Sequence, residues 1–272
     1  MGRKEFEKLN LVVVGAAKAG TTTLEYFLKQ QPNANCVMSR KKIFGENADK
    51  KLREIALQEI SKQRTKKIHC HVRADYMSDV TALHEISAKS NAKIVMVCRD
   101  PAQRLWSHYY HDFKKGRRYT EKGFSGWLNS ARGHEAYKLS EYGKSLKLIH
   151  RLFLLDSVHI LLTEDLSKFP TMNALFNDLG LEQVSRLANT AKNISRMPKN
   201  PSIMRAANRI IEPLPRSSVK EMLIRMRNRY LTVDQRAPRL PDAVRHELVA
   251  QFREDITLFS ELSGRDVSGW LK

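Results

Sequence analysis

Lys18 lies in a run, Gly15-Ala16-Ala17-Lys18-Ala19-Gly20-Thr21-Thr22-Thr23, that gathers one cation, two glycines and three hydroxyls into nine residues. Small side chains let backbone N–H groups close around an anion, and the lysine adds a full positive charge. Such a loop can hold a phosphate and stabilise charge on an oxygen leaving it. Arg99 and Ser107 form a second group eight residues apart. A guanidinium grips phosphate through two N–H bonds, and a serine two helical turns on adds a hydroxyl. Between these groups stand Glu46, His69 and His71, side chains able to take a proton. Histidine suits a general base because its ordinary pKa is near neutrality, and such a base typically contributes about 10²–10⁴-fold.

The first run departs from the nucleotide-binding pattern G-x-x-x-x-G-K-[ST], in which the lysine directly follows the second glycine. Here Thr21 holds that place, Lys18 lies inside the loop, and Thr22 keeps the final hydroxyl. A phosphate site without that lysine points away from ATP hydrolysis. The elements that must position these groups can also be read. Leu11 to Val14 reads as a buried strand, followed by the loop and the first turn of a helix. Ala92 to Cys98 reads as another strand with an abrupt stop, where Asp100 caps the next helix and Pro101 takes its first position. Arg104, on that helix, reads as a surface residue or a partner in a local ion pair. Leu154 to Leu162 reads as a further strand, and His69 and His71, two apart, share one strand face. Strands alternating with helices predict an α/β fold, a P-loop-like three-layer sandwich with a largely parallel central sheet and helices on both faces.

Residues 17–24 resemble the 5′-phosphosulfate loop, P-K-x-G-T-[ST]-x-L, of sulfotransferases that use 3′-phosphoadenosine 5′-phosphosulfate (PAPS), with Ala17 in place of proline. In that family an Arg-[Asn/Asp]-Pro turn, with a serine eight residues after the arginine, binds the donor's 3′-phosphate; Arg99 and Ser107 match it. Thr163-Glu164-Asp165-Leu166 is similar to the family's Tyr-Glu-Asp-Leu turn, with threonine replacing tyrosine. Gly264 to Trp270 resembles the Gly-x-Asp-x-x-x-Trp ending of bacterial and carbohydrate sulfotransferases, with Gly264 a helix C-cap and Trp270 packed on the domain. Lys192 to Asn200 resembles the basic loop that closes over the nucleotide, which makes Arg196 and Lys199 candidates for the 3′-phosphate.

The resemblance implies that Lys18, Ala19, Gly20, Thr21, Thr22 and Thr23 hold the 5′-phosphosulfate, with Lys18 neutralising the leaving oxygen and no metal required. The product would be 3′-phosphoadenosine 5′-phosphate (PAP). For the base, one branch of the family uses the glutamate of Lys-Glu-x-x-Phe-Phe. The stretch here is Lys41-Lys42-Ile43-Phe44-Gly45-Glu46, with lysine at the glutamate's place and Glu46 off register. The other branch uses a histidine, which His71 would supply. His71 is the first expectation and Glu46 the second. His108 and His111 would help shape the acceptor cleft, and Tyr76, Tyr109, Tyr110 and Tyr142 would either stack on an acceptor or pack the core.

Composition fits one domain over residues 1–272, since 272 residues at 42% hydrophobic can bury a sizeable core. No apolar run approaches the roughly 18 residues of a membrane span. Met1 to Glu5 leads almost directly into the first strand, so a cytoplasmic enzyme of bacterial type is expected, or one peripheral to the inner face of the membrane. The three cysteines, Cys36, Cys70 and Cys98, are odd in number and lack metal-ligand spacing, which suits reduced thiols. The net charge of +19 exceeds what two phosphates need. Its sources include Lys114-Lys115-Gly116-Arg117-Arg118, a loop after the Ser107 helix, and a helical stretch with Arg205, Arg209, Arg216, Lys220, Arg225, Arg227 and Arg229. A field of this size draws a polyanionic acceptor or an anionic lipid surface, and no motif prefers DNA or RNA.

The sequence thus reads as a PAPS-dependent sulfotransferase acting on a hydroxyl of a carbohydrate or glycoconjugate. One alternative is a nucleotide kinase or NTPase, with Asp100 at a metal and Lys18 as the phosphate lysine. Another is an inactive basic protein that binds polyanions on the same scaffold.

Overall fold

A computed structural model describes residues 5–117, 120, 122–183, 196–211, 213–215, 217–234 and 237–272. In chain order these form β1 (Leu9–Gly15), α1 (Thr21–Gln30), β2 (Ala34–Cys36), α2 (Lys50–Lys62), β3 (Ile68–Val72), α3 (Val80–Lys89), β4 (Lys93–Cys98), α4 (Pro101–Lys114), α5 (Gly123–Leu128) and α6 (Ala131–Lys138). There follow α7 (Tyr142–Leu152), β5 (Val158–Leu162), α8 (Phe169–Asp178), β6 (Arg196–Pro198), α9 (Pro201–Ile211), α10 (Ser218–Leu231), β7 (Thr232–Asp234) and α11 (Asp242–Ser263).

The chain divides into two compact units, one of residues 1–104, 139–188 and 246–272, the other of residues 105–138 and 189–245. The first unit holds a five-stranded sheet in the order β2-β3-β1-β4-β5. Each neighbouring pair in it is parallel. This is the α/β fold the alternating pattern predicts. Val12, Val13 and Val14 of central β1 are fully buried, as a parallel strand covered on both faces requires. Helix starts follow the side chains available to cap them: Asp49 accepts the Leu52 N–H at 3.2 Å, and Asp79 the Ala82 N–H at 2.9 Å. α7 is capped from a distance, its Gly143 and Lys144 N–H groups each donating over 2.9 Å to the carboxylate of Asp255 on α11. α11 stops where Gly264 turns to φ 63°, and Trp270 stacks on Phe259 with ring centroids 5.6 Å apart. Both features match the sequence reading.

Among its described residues the second unit is helical, with one short antiparallel pair, β6 and β7. Its core is aromatic: Tyr109 meets Trp127 at 5.7 Å and Trp106 meets Phe124 at 5.1 Å. His108 belongs inside this unit rather than to an open cleft; it is buried, and its Nε2 accepts from Arg132 Nη2 at 2.8 Å. Tyr76, Tyr109 and Tyr142 are buried as well, so of the four tyrosines only Tyr110 keeps appreciable exposure. Strand limits shift by a few residues. The largest shift is in β5, which starts at Val158 because Leu155–Ser157 forms a 3₁₀ turn. α4 continues through Lys114, taking the first lysine of the expected loop. No helix among the described residues is long and apolar enough to cross a membrane.

Candidate active site

The loop after β1 is fastened to both neighbouring strands. The Ala16 N–H donates to Val97 of β4 at 2.7 Å, and the Ala17 N–H donates to Ala74, just past β3, at 3.0 Å. Gly15 has no room for a side chain, since a Cβ there would lie 2.3 Å from Met77 Sδ. Lys18 adopts φ 72°, a left-handed conformation that costs a non-glycine residue of order 1–3 kcal/mol and persists only where the surroundings enforce it. Gly20, at φ 108°, is the N-cap of α1, and its carbonyl accepts the N–H groups of Thr23 and Leu24 at 2.9 and 3.1 Å. The first amides of a helix have no intrahelical acceptor, and the helix dipole adds positive potential there. The Ala19 and Thr23 N–H groups are taken by the Ala16 and Gly20 carbonyls, so the main-chain amides of Gly20, Thr21 and Thr22, next to Lys18 at the carboxyl end of the central strand, are the ones whose setting suits an anion.

Two side chains outside the loop hold its carbonyls. Arg104 is fully buried, and it donates from Nη1 to the Ala17 carbonyl at 3.1 Å and from Nε to Ser140 Oγ at 2.7 Å. The expectation of a surface residue is corrected: the first turn of α4 carries this side chain inward beneath the loop. Thr163 Oγ1 lies 2.7 Å from the Ala19 carbonyl and 3.1 Å from that of Cys98, so one hydroxyl ties the loop to the end of β4. Leu166 closes on Gly20, where an added Cβ would fall 2.5 Å from Leu166 Cδ1. Asp165 secures this turn by accepting from Leu162 N–H at 2.9 Å and from Arg265 Nη2. The Thr-Glu-Asp-Leu turn is thus a clamp on the loop between β1 and α1.

At the end of β4, Asp100 caps α4 as predicted, its Oδ1 accepting the Gln103 N–H at 3.0 Å. Arg99 is half-buried; its Nη2 donates to Gln103 Oε1 at 3.2 Å, and its N–H donates to Tyr142 Oη at 3.4 Å. Ser107 lies further along α4, in the part that belongs to the second unit. Lys199 also belongs to that unit; it is exposed, and its N–H donates to the Leu231 carbonyl at 2.9 Å. Residues 192–195 of the expected basic loop, and the side chain of Arg196, lie outside the described residues.

The histidine expected as base is fully buried in β3. Its Nδ1–H donates to the Val37 carbonyl at 2.9 Å, and its Nε2 accepts from Tyr76 Oη at 3.3 Å. Tyr76 Oη in turn accepts the N–H groups of Ile43 and Phe44 at 2.9 and 3.0 Å. Burial pushes the His71 pKa down to about 4 and that of Tyr76 up to about 12, so both are neutral at neutral pH. A base must reach the acceptor's proton. As folded, both His71 nitrogens are spent on the protein, and the ring joins β3 to the segment after β2. Glu46 is exposed and accepts from Thr81 Oγ1 at 3.4 Å. Lys42, at the family's glutamate position, pairs with Asp79 at 2.7 Å.

The sulfotransferase-domain family profile matches residues 9–196. The chain belongs to the sulfotransferase family. The matched span includes β1 to β5, the loop between β1 and α1 and the Arg99 turn, and members of this family take the sulfuryl group from PAPS. No curated protein sequence matches this sulfotransferase. Among solved structures it is similar to the sulfotransferase from Alicyclobacillus acidocaldarius, with TM-score 0.67 and 17% identity over 97% of this chain and 99% of that one. It is also similar to the sulfotransferase domain of the Synechococcus PCC 7002 olefin synthase, with TM-score 0.50 and 14% identity over 98% of this chain and 100% of that one. At these identities the likeness shows the fold.

Sequence reasoning missed one polar cluster of this sulfotransferase, at the same sheet end as the loop. Arg73, immediately after β3, holds Asp75 through Nε and Nη2, each at 2.5 Å, and donates from Nη1 to the Arg40 carbonyl at 2.6 Å. Arg40 pairs with buried Glu25 of α1 at 2.9 Å, and Lys29 joins Glu25 at 2.5 Å. In open parallel sheets, ligands bind beyond the carboxyl ends of the strands. The signal that could have found the cluster is Arg73-Ala74-Asp75 directly following a strand.

Proposed function

We propose that this sulfotransferase moves the sulfuryl group of PAPS to a hydroxyl of a carbohydrate or glycoconjugate. The observation that carries the reading is Lys18, held at φ 72° in a loop fixed to both neighbouring strands and leading into the α1 N-terminus. The loop suits a phosphate, and Lys18 adds charge where the bridging oxygen departs. As the acceptor oxygen bonds to sulfur in line, the bond from sulfur to the 5′-phosphate oxygen breaks and the acceptor proton passes to a base. Arg99 and Ser107 are assigned to the 3′-phosphate from their shared motif, and Arg196 and Lys199 from the likeness of Lys192 to Asn200 to the family's basic loop. The carbohydrate acceptor rests on the likeness of the Gly264 to Trp270 ending to that branch, and on the net charge of +19.

For the base we assign Asp75 in place of His71. Its carboxylate is 44% exposed and is held by Arg73. Its neighbour Ala74 is the residue that bonds Ala17 in the loop. Glu46 has no such main-chain link. A kinase reading would need Asp100 at a metal, whereas its Oδ1 caps α4.

Thermal unfolding with PAPS, with PAP, and with ATP and Mg²⁺ tests the donor. A ligand at 100 times its Kd adds about 2.7 kcal/mol to the folded state. Stabilisation by PAPS and PAP but not by ATP is the expected result, and stabilisation by ATP with Mg²⁺ alone would overturn it. Labelled PAPS with a panel of sugar and glycoconjugate acceptors then tests the acceptor class, which fails if only non-carbohydrate hydroxyls take label.

A further inference from the structure

α10 carries Val219, Met222, Met226 and Tyr230 at intervals of three, four and four residues, which places them on one face. Such a stripe on a helix normally faces a core. Here it faces outward, the four residues being 56%, 48%, 48% and 59% exposed. The helix has no buried residue at all. α9, joined to α10 by Arg227 Nη1 donating to Asn208 Oδ1 at 2.6 Å, behaves differently. It buries Met204, Asn208 and Ile211, and leaves Ile203 and Ile210 outside. This clustering of large apolar residues in the open is unlike the scattered single ones that any surface shows.

The charges around the stripe narrow the kind of surface it suits. The described residues of α9 and α10 include Arg205, Arg209, Lys220, Arg225, Arg227 and Arg229 against a single acid, Glu221. Arg225 and Arg229 follow Met222 and Met226 by three residues each, so they run along one edge of the stripe. Both are exposed, and the Arg229 guanidinium lies 5.8 Å from the Tyr230 ring. A soluble polyanion would attract the arginines and gain nothing from valine and methionine. An apolar protein groove would cover the stripe and leave the arginine edge without a complement. The boundary between anionic headgroups and acyl chains takes both at once, with unbranched methionines entering the acyl layer and tyrosine and arginine at headgroup level.

We propose that the outward face of α10 seats the protein on the surface of an anionic lipid bilayer. The proposal is independent of the sulfuryl-transfer reading, because its test measures binding and not turnover. The purified full chain is sedimented with vesicles of phosphatidylcholine alone and with vesicles of equal phosphatidylcholine and phosphatidylglycerol. Two double variants accompany it: Met222→Ser with Met226→Ser, and Arg225→Gln with Arg229→Gln. Since all four side chains are exposed, the variants should unfold at the wild-type temperature, and that is checked alongside. Wild type is expected to sediment with the anionic vesicles only, and each double variant to partition about tenfold less well. Wild type remaining in solution with anionic vesicles would overturn the proposal. So would loss in the arginine variant with none in the methionine variant, which would mark a site for soluble polyanions. A wild-type dimer in light scattering that the methionine variant dissolves, without vesicle binding, would instead assign the face to a second copy of the chain.

Discussion

Arg104 and Ala17 stand 87 residues apart in sequence and meet through a hydrogen bond from Nη1 to the main-chain carbonyl at 3.1 Å. The arginine has no solvent exposure, so its contribution is the geometry of the loop that precedes Lys18. Replacing it by lysine keeps a charge but loses the fork that reaches Ala17 and Ser140 together. We expect Arg104→Lys to lower stability by about 1.5–3 kcal/mol, in the range for hydrogen bonds to charged groups. PAP binding should weaken with it. Urea denaturation and PAP titration check both, and wild-type values in each would reduce the arginine to packing.

Lys18 separates stability from activity. At φ 72° the position suits glycine better than lysine, so the backbone gains from Lys18→Gly while the charge is lost. The variant should unfold within about 1 kcal/mol of wild type. Sulfuryl transfer from PAPS should fall about 10²–10³-fold, as when one group stabilising developing charge is removed. A fall in both together would mean that Lys18 is there for the fold.

How much of this was legible in the sequence differs by residue. Gly20, Asp100 and Gly264 shape or cap the backbone at their own position, and Lys18 sits in the same short loop as Gly20, so local patterns show all four directly. Arg104 and Thr163 act on carbonyls 87 and 144 residues away, and only the closed sheet brings them there. Asp255 capping α7 is the same kind of relation. His71 shows the opposite difficulty. Its type and spacing fit a base, but its place on a strand flanked on both sides turns its nitrogens to Val37 and Tyr76.

The buried histidine makes stability depend on pH. Its folded pKa of about 4 lies below the ordinary 6.5, because burial disfavours the charged ring. Between those values the unfolded chain binds a proton that the folded protein does not. The contribution is therefore complete above pH 6.5 and is lost as pH falls toward 4, an effect of about 3 kcal/mol. His71→Asn should flatten that part of the pH–stability curve. Turnover per folded molecule should stay within about tenfold of wild type near neutrality, whereas Asp75→Asn should cost about 10²-fold or more. The reverse order of the two variants would restore His71 as the base.

Cys36 and Cys70, directly paired across β2 and β3, have Sγ atoms 2.9 Å apart. The bond between them acts oppositely on the two thiols. It holds the Cys36 pKa below its usual value, while the same bond and burial push Cys70 well above. Cys98, fully buried in β4, is also pushed up by burial. Because the thiolate is the reactive species, a substoichiometric alkylating agent near neutral pH should modify half-buried Cys36 first and spare Cys70 and Cys98 until the protein unfolds. Peptide mass mapping after timed quenching reads the order. Equal labelling of Cys36 and Cys70 in the folded protein would show that the β2 edge opens faster than the thiols react. That outcome would place this edge among the least stable parts of the sheet.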